Sequence, residues 1–417
     1  MPERKIIRVA VVTETFPKLS ETFVVNHIRG LLDAGVEVDI YAFYRQPEGE
    51  PLHPVVDEYD LVNRTRYKPF EPLPKGPRLR SALRLILRNF RSFSFPILQS
   101  LNFFRYGKEA FRLHRLFEAA TFFNRVPYDV VHCHFGTTAE KLALFQQWGL
   151  LNAPLVTSFH GYELDDRQVV RPNMYDRLKH RGRLFIANSG YTRQRLLDVG
   201  FDEQRIRIIP VSFDTRFFQR TSHPPDKPFQ LLTVGRLVEF KGIEYSLRAL
   251  SLLWHRDGIN FLYSIVGTGP LEAELQSLVA DLGIQSQVRM LGGRTQVEIR
   301  DLMEQSHVFL LTGVRASDGR VENQGLVIQE AQAMELPVVV SDVGGAPEGM
   351  VDGETGLLVP ERDVEAIALC IRRLYESPDL RMRMGHAGKI FVEGRFGIQE
   401  TTKRVLEEYS KGKYNEC

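Results

Sequence analysis

Arg236, Lys241, Glu322 and Glu330 are the side chains in this sequence best suited to grip a charged, hydroxyl-bearing ligand. Arg236 and Lys241 share one turn, Val234-Gly-Arg-Leu-Val-Glu-Phe-Lys-Gly242, where a strand runs through glycines into a helix. A guanidinium offers a bidentate fork and an ammonium a point charge, the combination that holds a diphosphate and offsets its charge as it leaves. Glu322 and Glu330 sit in Arg320-Val-Glu-Asn-Gln-Gly-Leu-Val-Ile-Gln-Glu330, on either side of a helix start at Gly325. A carboxylate only accepts hydrogen bonds, which matches the paired hydroxyls of a sugar. The free N–H groups at such a helix start favour an anion. Taken singly, each of these charges also fits an ordinary solvated surface.

Further turns follow predicted strands. Gly267-Thr-Gly269-Pro270 would let backbone approach a ligand closely, and Gly344-Gly-Ala-Pro-Glu348 and Asp352-Gly-Glu-Thr-Gly356 form two more. His160, in Phe159-His-Gly161, ends another strand, and His134, in Val131-His-Cys-His-Phe-Gly136, is a second candidate for a cleft. Either imidazole is equally able to serve the backbone alone. No Asp-x-Asp triplet occurs, so the carboxylate clamp for a divalent metal is absent and no metal is expected.

The elements that must position these residues alternate. Ile6 to Val12 and Val36 to Phe43 read as strands around a helix that Ser20 or Thr22 could cap and Gly35 could stop. More strands are expected at Val130–His132, Leu155–Phe159, Leu184–Ala187 and Ile206–Ile209. After a proline-bearing linker from Phe213 to Pro228 they resume at Phe229–Val234, Phe261–Val266, Val308–Leu311 and Val338–Val340. This rhythm predicts an α/β chain of two Rossmann-like, doubly wound domains facing across a cleft: residues 1–212, residues 226–395, and a terminal helix and tail at 396–417. At 417 residues the chain can hold two separate cores. A formal charge of +2 gives no reason to expect nucleic acid. Cys133, Cys370 and Cys417 make neither a metal spacing nor a disulfide framework, and suit a reducing, cytoplasmic compartment. The opening residues read as a first strand and not a leader, and no apolar run is long enough to span a bilayer.

Residues 64–125 form an insertion of different character, in which arginine and lysine far outnumber Glu71, Glu109 and Glu118. Leu79, Leu83, Ile86, Leu87 and Phe90 recur at helical spacing beside Arg78, Arg80, Arg84, Arg88 and Arg91. That pattern fits a helix lying in an anionic membrane interface, and equally two helices packed on the sheet with their arginines in water.

In combination, Arg236 and Lys241, Gly267-Thr-Gly-Pro270, the Glu322 and Glu330 pair and the Gly-Gly-x-Pro-Glu348 turn resemble, over essentially the whole chain, the retaining glycosyltransferases of family 4. The resemblance implies the GT-B fold and metal-independent transfer from a nucleotide sugar, a UDP- or GDP-sugar, to a saccharide acceptor, free or lipid-linked. It implies that Arg236 and Lys241 hold the diphosphate, Glu330 the ribose and Glu322 the transferred sugar. Gly267, Gly269, Asn323, Gln324, Gly325 and Leu326 would complete the donor site, with His160 beside the reacting centre. Leu19-Ser20-Glu21-Thr22-Phe23 replaces a glycine pair and is similar to the colanic acid and amylovoran subset; Ser20, Glu21, Thr22 and His134 are its acceptor-side candidates. Glu335 stands where members usually have Gly, and Val211-Ser-Phe-Asp214 where Gly-Val-Asp is common. The alternative is a non-catalytic sugar-nucleotide-binding or scaffold protein of a polysaccharide assembly. A nicotinamide dehydrogenase would need Gly-x-Gly-x-x-Gly after its first strand, and Thr13 to Thr22 lacks it.

Overall fold

The computed structural model describes residues 7–18, 21–47, 52–69, 75–123, 126–165, 173–222, 224 and 228–411. Two parallel sheets organise it. The first contains β1 (Arg8–Thr15), β2 (Glu37–Tyr44), β3 (Thr65–Tyr67), β4 (Val130–His134), β5 (Leu155–Phe159), β6 (Leu184–Ala187) and β7 (Ile206–Ile208), in the order β3-β2-β1-β4-β5-β6-β7. The second contains β8 (Phe229–Val234), β9 (Phe261–Val266), β10 (Val288–Gly292), β11 (Val308–Leu311), β12 (Val338–Ser341) and β13 (Gly356–Val359), in the order β10-β9-β8-β11-β12-β13. Every pairing is parallel. Strands such as Val-Val-His-Cys-His and Val-Phe-Leu-Leu are buried throughout because helices cover both faces. In each sheet the winding reverses once, between β1 and β4 and between β8 and β11. Chain ends diverge there and leave a crevice at the carboxyl ends of the strands.

Thr22–Asp33, the first long helix, begins at Glu21 with no side-chain cap bond, so Thr22 is not the cap the sequence suggested. Ser20 lies outside the described residues. The linker is tied down by Arg220, whose guanidinium donates to the carbonyls of Met303, Ser306 and Met334 at 3.1, 3.0 and 2.6 Å. The last helix, Ile398–Ser410, returns to the first sheet. Tyr409 meets His132 Nδ1 at 2.6 Å, and Gly30 leaves the space that Thr402 fills, since a Cβ there would stand 2.0 Å from the Thr402 hydroxyl.

Within the basic insertion, Thr65–Tyr67 is an edge strand of the first sheet, and helices run at Lys75–Ser100, Phe103–Phe111 and His114–Ala120. Ala82 and Ile97 turn inward onto Leu116 and Phe117. Leu79, Leu83, Leu87 and Phe90 turn outward beside exposed Arg80, Arg84, Arg88 and Arg91. On the next helix, Phe104 and Phe111 are 90% and 86% exposed.

Candidate active site

A cleft of about 490 Å³ lies between the two sheets, walled by Phe23, Phe135, His160 and Tyr162 on one side and by Arg236, Phe240 and residues 320–326 on the other. Arg236 leaves the end of β8, and its guanidinium sits 5.8 Å from the centre of the Phe240 ring. Lys241 and Arg320 approach the same ring at 5.7 and 5.8 Å, so three cations converge on one aromatic platform. The turn that carries Lys241 depends on glycine at 242. There φ is +63°, and a Cβ would stand 1.8 Å from the carbonyl oxygen of Thr312. Lys241 Nζ makes a direct ion pair with Glu322 Oε2, each side chain only slightly exposed.

Glu322 is held by its backbone. Its carbonyl accepts from the N–H of Gly345 at 2.8 Å, and the Gly344-Gly345 pair leaves room for this loop, where Cβ atoms would stand 2.3 Å from the Glu322 oxygen and 1.9 Å from that of Asn323. Gly325, at φ +72°, turns the chain into the helix Leu326–Ala333, whose start lines the cleft. Glu330 follows on that helix. Among the described residues its carboxylate has no hydrogen-bond or salt-bridge partner, and desolvation pushes it up to about 7.

The facing wall is built from histidines. His160 ends β5, its backbone N–H donating to buried Glu163 at 2.9 Å, and its ring packs between Phe23 and Phe135 with centroids 4.4 and 4.7 Å away. Burial, with no carboxylate beside the ring, drives His160 down to about 3, so it is neutral at physiological pH. Behind it stand His134, His27 and His132. His27, His132 and His134 bring ring nitrogens within 4.8 Å of one another, a composition that suits a transition metal. The nitrogens of His132 and His134 are already engaged, however, His132 with Tyr409 and Ser158 and His134 with His27 and His160, which leaves His27 Nε2 alone without a partner among the three rings.

The two halves also touch. Glu348 accepts from the N–H groups of Gly190 and Tyr191, at the start of the helix Gly190–Val199, at 2.7 and 3.0 Å. Gln324 pairs with both backbone groups of Val211, at 2.8 and 3.0 Å. Gly161 leaves the space that the Asn323 side chain occupies.

Residues 214–391 match the model of glycosyl transferases group 1, and residues 90–217 that of glycosyltransferase family 4. A colanic acid biosynthesis glycosyltransferase, WcaL, from Salmonella typhimurium is 31% identical over 85% of this chain and 87% of its own length. The chain belongs to the family 4 glycosyltransferases. The amylovoran biosynthesis glycosyltransferase AmsK of Erwinia amylovora is 30% identical over 95% of this chain and 97% of its own. In fold, this glycosyltransferase is similar to Anabaena HepE, a structure solved with UDP and glucose, at a TM-score of 0.67 and 16% identity, covering 97% of this chain and all of the other.

Several residues read from the sequence take unexpected places. Gly267 and Gly269 do not line the cleft; they admit protein backbone, since Cβ atoms would lie 1.9 Å from the Gly235 oxygen and 2.4 Å from that of Leu237. Their conformational freedom packs the Arg236 turn against the next loop. Gln324 reaches the cleft, but its amide is spent on Val211, so only its backbone is available. His134 is buried behind His160 and is not presented to the cleft, because both its nitrogens are taken. Glu21 does line the cleft, paired with Lys18 at 2.5 Å, whereas Thr22 does not. Phe240, Arg320 and Glu163 were not foreseen. Glu163 carried a signal, since a carboxylate three residues after a strand-end histidine can fold back onto that residue's N–H.

Proposed function

We propose that this glycosyltransferase moves a sugar from a UDP- or GDP-sugar to a hydroxyl of a saccharide acceptor, with retention and without a metal, in exopolysaccharide biosynthesis. The observation that carries the reading is the convergence of Arg236, Lys241 and Arg320 on Phe240, with Arg236, Arg320 and Glu322 lining the same cleft as His160 and Lys241 paired to Glu322 just behind it. Fixed cations around a departing diphosphate stabilise its developing charge without reorganisation. The anomeric carbon–oxygen bond to the diphosphate breaks while the acceptor oxygen bonds to the same face, and the acceptor proton passes to a phosphate oxygen. Lys241 exchanges Glu322 for phosphate on binding, which frees the Glu322 carboxylate to receive hydroxyls of the transferred sugar, and Glu330 receives the ribose. The likeness to WcaL and AmsK supports the polysaccharide pathway. A thermal-shift screen against UDP, GDP and ADP sugars identifies the donor, because a ligand of the folded state raises the midpoint. NMR of the product then reads the anomeric configuration. Inversion, or activity abolished by EDTA, overturns the mechanism.

The outward row of Leu79, Leu83, Leu87 and Phe90 beside arginines supports peripheral contact with the anionic inner leaflet, which suits a lipid-linked acceptor. No helix among the described residues is long and apolar enough to cross a membrane. Flotation should show binding to anionic but not neutral vesicles, lost in Leu83→Asp/Leu87→Asp. Equal binding to both vesicle types refutes this contact.

A further inference from the structure

The histidine chain behind the cleft has a property that follows from counting protons. His27 Nδ1 lies 2.9 Å from His134 Nε2, and His134 Nδ1 lies 3.0 Å from His160 Nε2. The two free ends, His27 Nε2 and His160 Nδ1, are buried without a hydrogen-bond partner. Burial drives all three rings well below the usual imidazole range, so each is neutral and carries one proton. Three protons serve two hydrogen bonds, and each bond takes one. The third must sit at one end of the chain. If it is on His160 Nδ1, then His134 donates to His160 and His27 donates to His134. If it is on His27 Nε2, both bonds run the other way and His160 presents a bare lone pair. No third arrangement keeps both bonds.

We propose that His134 and His27 are positioning residues that fix the tautomer of His160, holding Nδ1 as its protonated, donating nitrogen. Two observations select this direction. His27 Nε2 finds no acceptor in the cavity of about 40 Å³ that it shares with His160, although Asn188, Ser212, Thr401 and Thr402 line it beside Ile186, Ile209 and Val405, and a buried N–H without an acceptor is rarer than an acceptor without a donor. His160 Nδ1 has no acceptor within the protein either, but its ring belongs to the cleft wall, where a diphosphate offers only acceptors; this clause rests on the function proposed above. The ring cannot simply turn over to correct a wrong tautomer, because Phe23 and Phe135 pack against it and its backbone is tied to Glu163. The tautomer of the residue that meets the ligand is therefore set by His27, on a different helix, through His134.

The test is a long-range ¹H–¹⁵N correlation spectrum of the full chain labelled at histidine, with His160 assigned by its loss in His160→Ala, recorded with and without UDP or GDP. The expected wild-type spectrum shows His160 Nδ1 in the N–H range and Nε2 in the bare range. In His27→Phe the donor to His134 is gone, and both His160 nitrogens should move to exchange-averaged intermediate shifts. His27→Asn, whose amide can stand in for Nδ1–H, should restore the wild-type pattern, and kcat should fall in His27→Phe with the donor KM unchanged. A bare Nδ1 in the wild type overturns the proposal, as does an unaltered His160 spectrum in His27→Phe. Should His27→Phe fail to fold, the wild-type spectrum alone decides. The tautomer is read without turnover, so a chain that transfers no sugar would overturn the proposed function and leave this measurement standing.

Discussion

Glu348 is the side chain whose removal most directly tests how the two halves are held. Its carboxylate takes two N–H groups at the start of the helix Gly190–Val199, 2.7 and 3.0 Å away, although it belongs to the turn after β12 in the other half. A hydrogen bond to a charged acceptor contributes a net ~1.5–3 kcal/mol, and water would recover part of it when the halves part, so the lower end applies to each. The two bonds give ~3 kcal/mol. The positive end of the helix dipole adds up to ~1 kcal/mol. At about 1.4 kcal/mol per decade, losing ~3 kcal/mol shifts the closed-to-open ratio by a factor on the order of 100. Glu348→Ala should therefore enlarge the radius of gyration in small-angle scattering and weaken nucleotide-sugar affinity, while the folding midpoint of each half stays near wild type. Glu348→Gln, which keeps an acceptor oxygen but no charge, should fall between. A scattering curve and an affinity both identical to wild type in Glu348→Ala would refute the reasoning, because the contact would then hold nothing that the remaining interface does not.

Three other outcomes follow from the same structure. Glu330 titrates near 7 in the folded chain against about 4.5 unfolded, so the folded state holds its proton longer and loses stability as pH rises through that window; Glu330→Gln should gain in thermal midpoint over wild type between pH 5 and 8, and a pH-independent difference counts against it. Glu335 sits at φ +56°, where an L residue pays ~1–2 kcal/mol, offset by its ion pair with Lys389 at 2.9 Å; Glu335→Gly should be neutral to ~1 kcal/mol stabilising in urea melts. Arg220→Ala removes a guanidinium bonded to three carbonyls and should cost about 3 kcal/mol in the same melts, whereas a loss below about 1 kcal/mol would mean water replaces it freely.

What the sequence disclosed about fold and site divides along physical lines. Leu155–Phe159, Phe229–Val234 and Val308–Leu311 were read to the residue, because a strand covered on both faces reads as a short, mostly apolar and β-branched run, broken only by small or single polar residues such as Ser158 and Gln230. Thr65–Tyr67, Val288–Gly292 and Gly356–Val359 were not read as strands, and all three are sheet edges. An edge strand meets solvent, so Arg66 and Arg289 interrupt the runs that would have marked them. The site divides in the same way. Arg236, Lys241 and Glu322 stood out only in combination, through the family resemblance their order carries, since each charge singly also fits a solvated surface; the strand order carries them to a switch point. His27, and the structural partners of Gln324 and Glu348, were not legible. Each of these three side chains acts through a partner more than a hundred residues away: His134, Val211 and Gly190 respectively. A single histidine on an amphipathic helix, or a glutamate in a glycine turn, carries no local mark of such pairing. The cations gathered at Phe240 are thus written in local pattern. The contacts that join the two halves, and the histidine chain that sets one ring's proton, exist only once both sheets have formed and met.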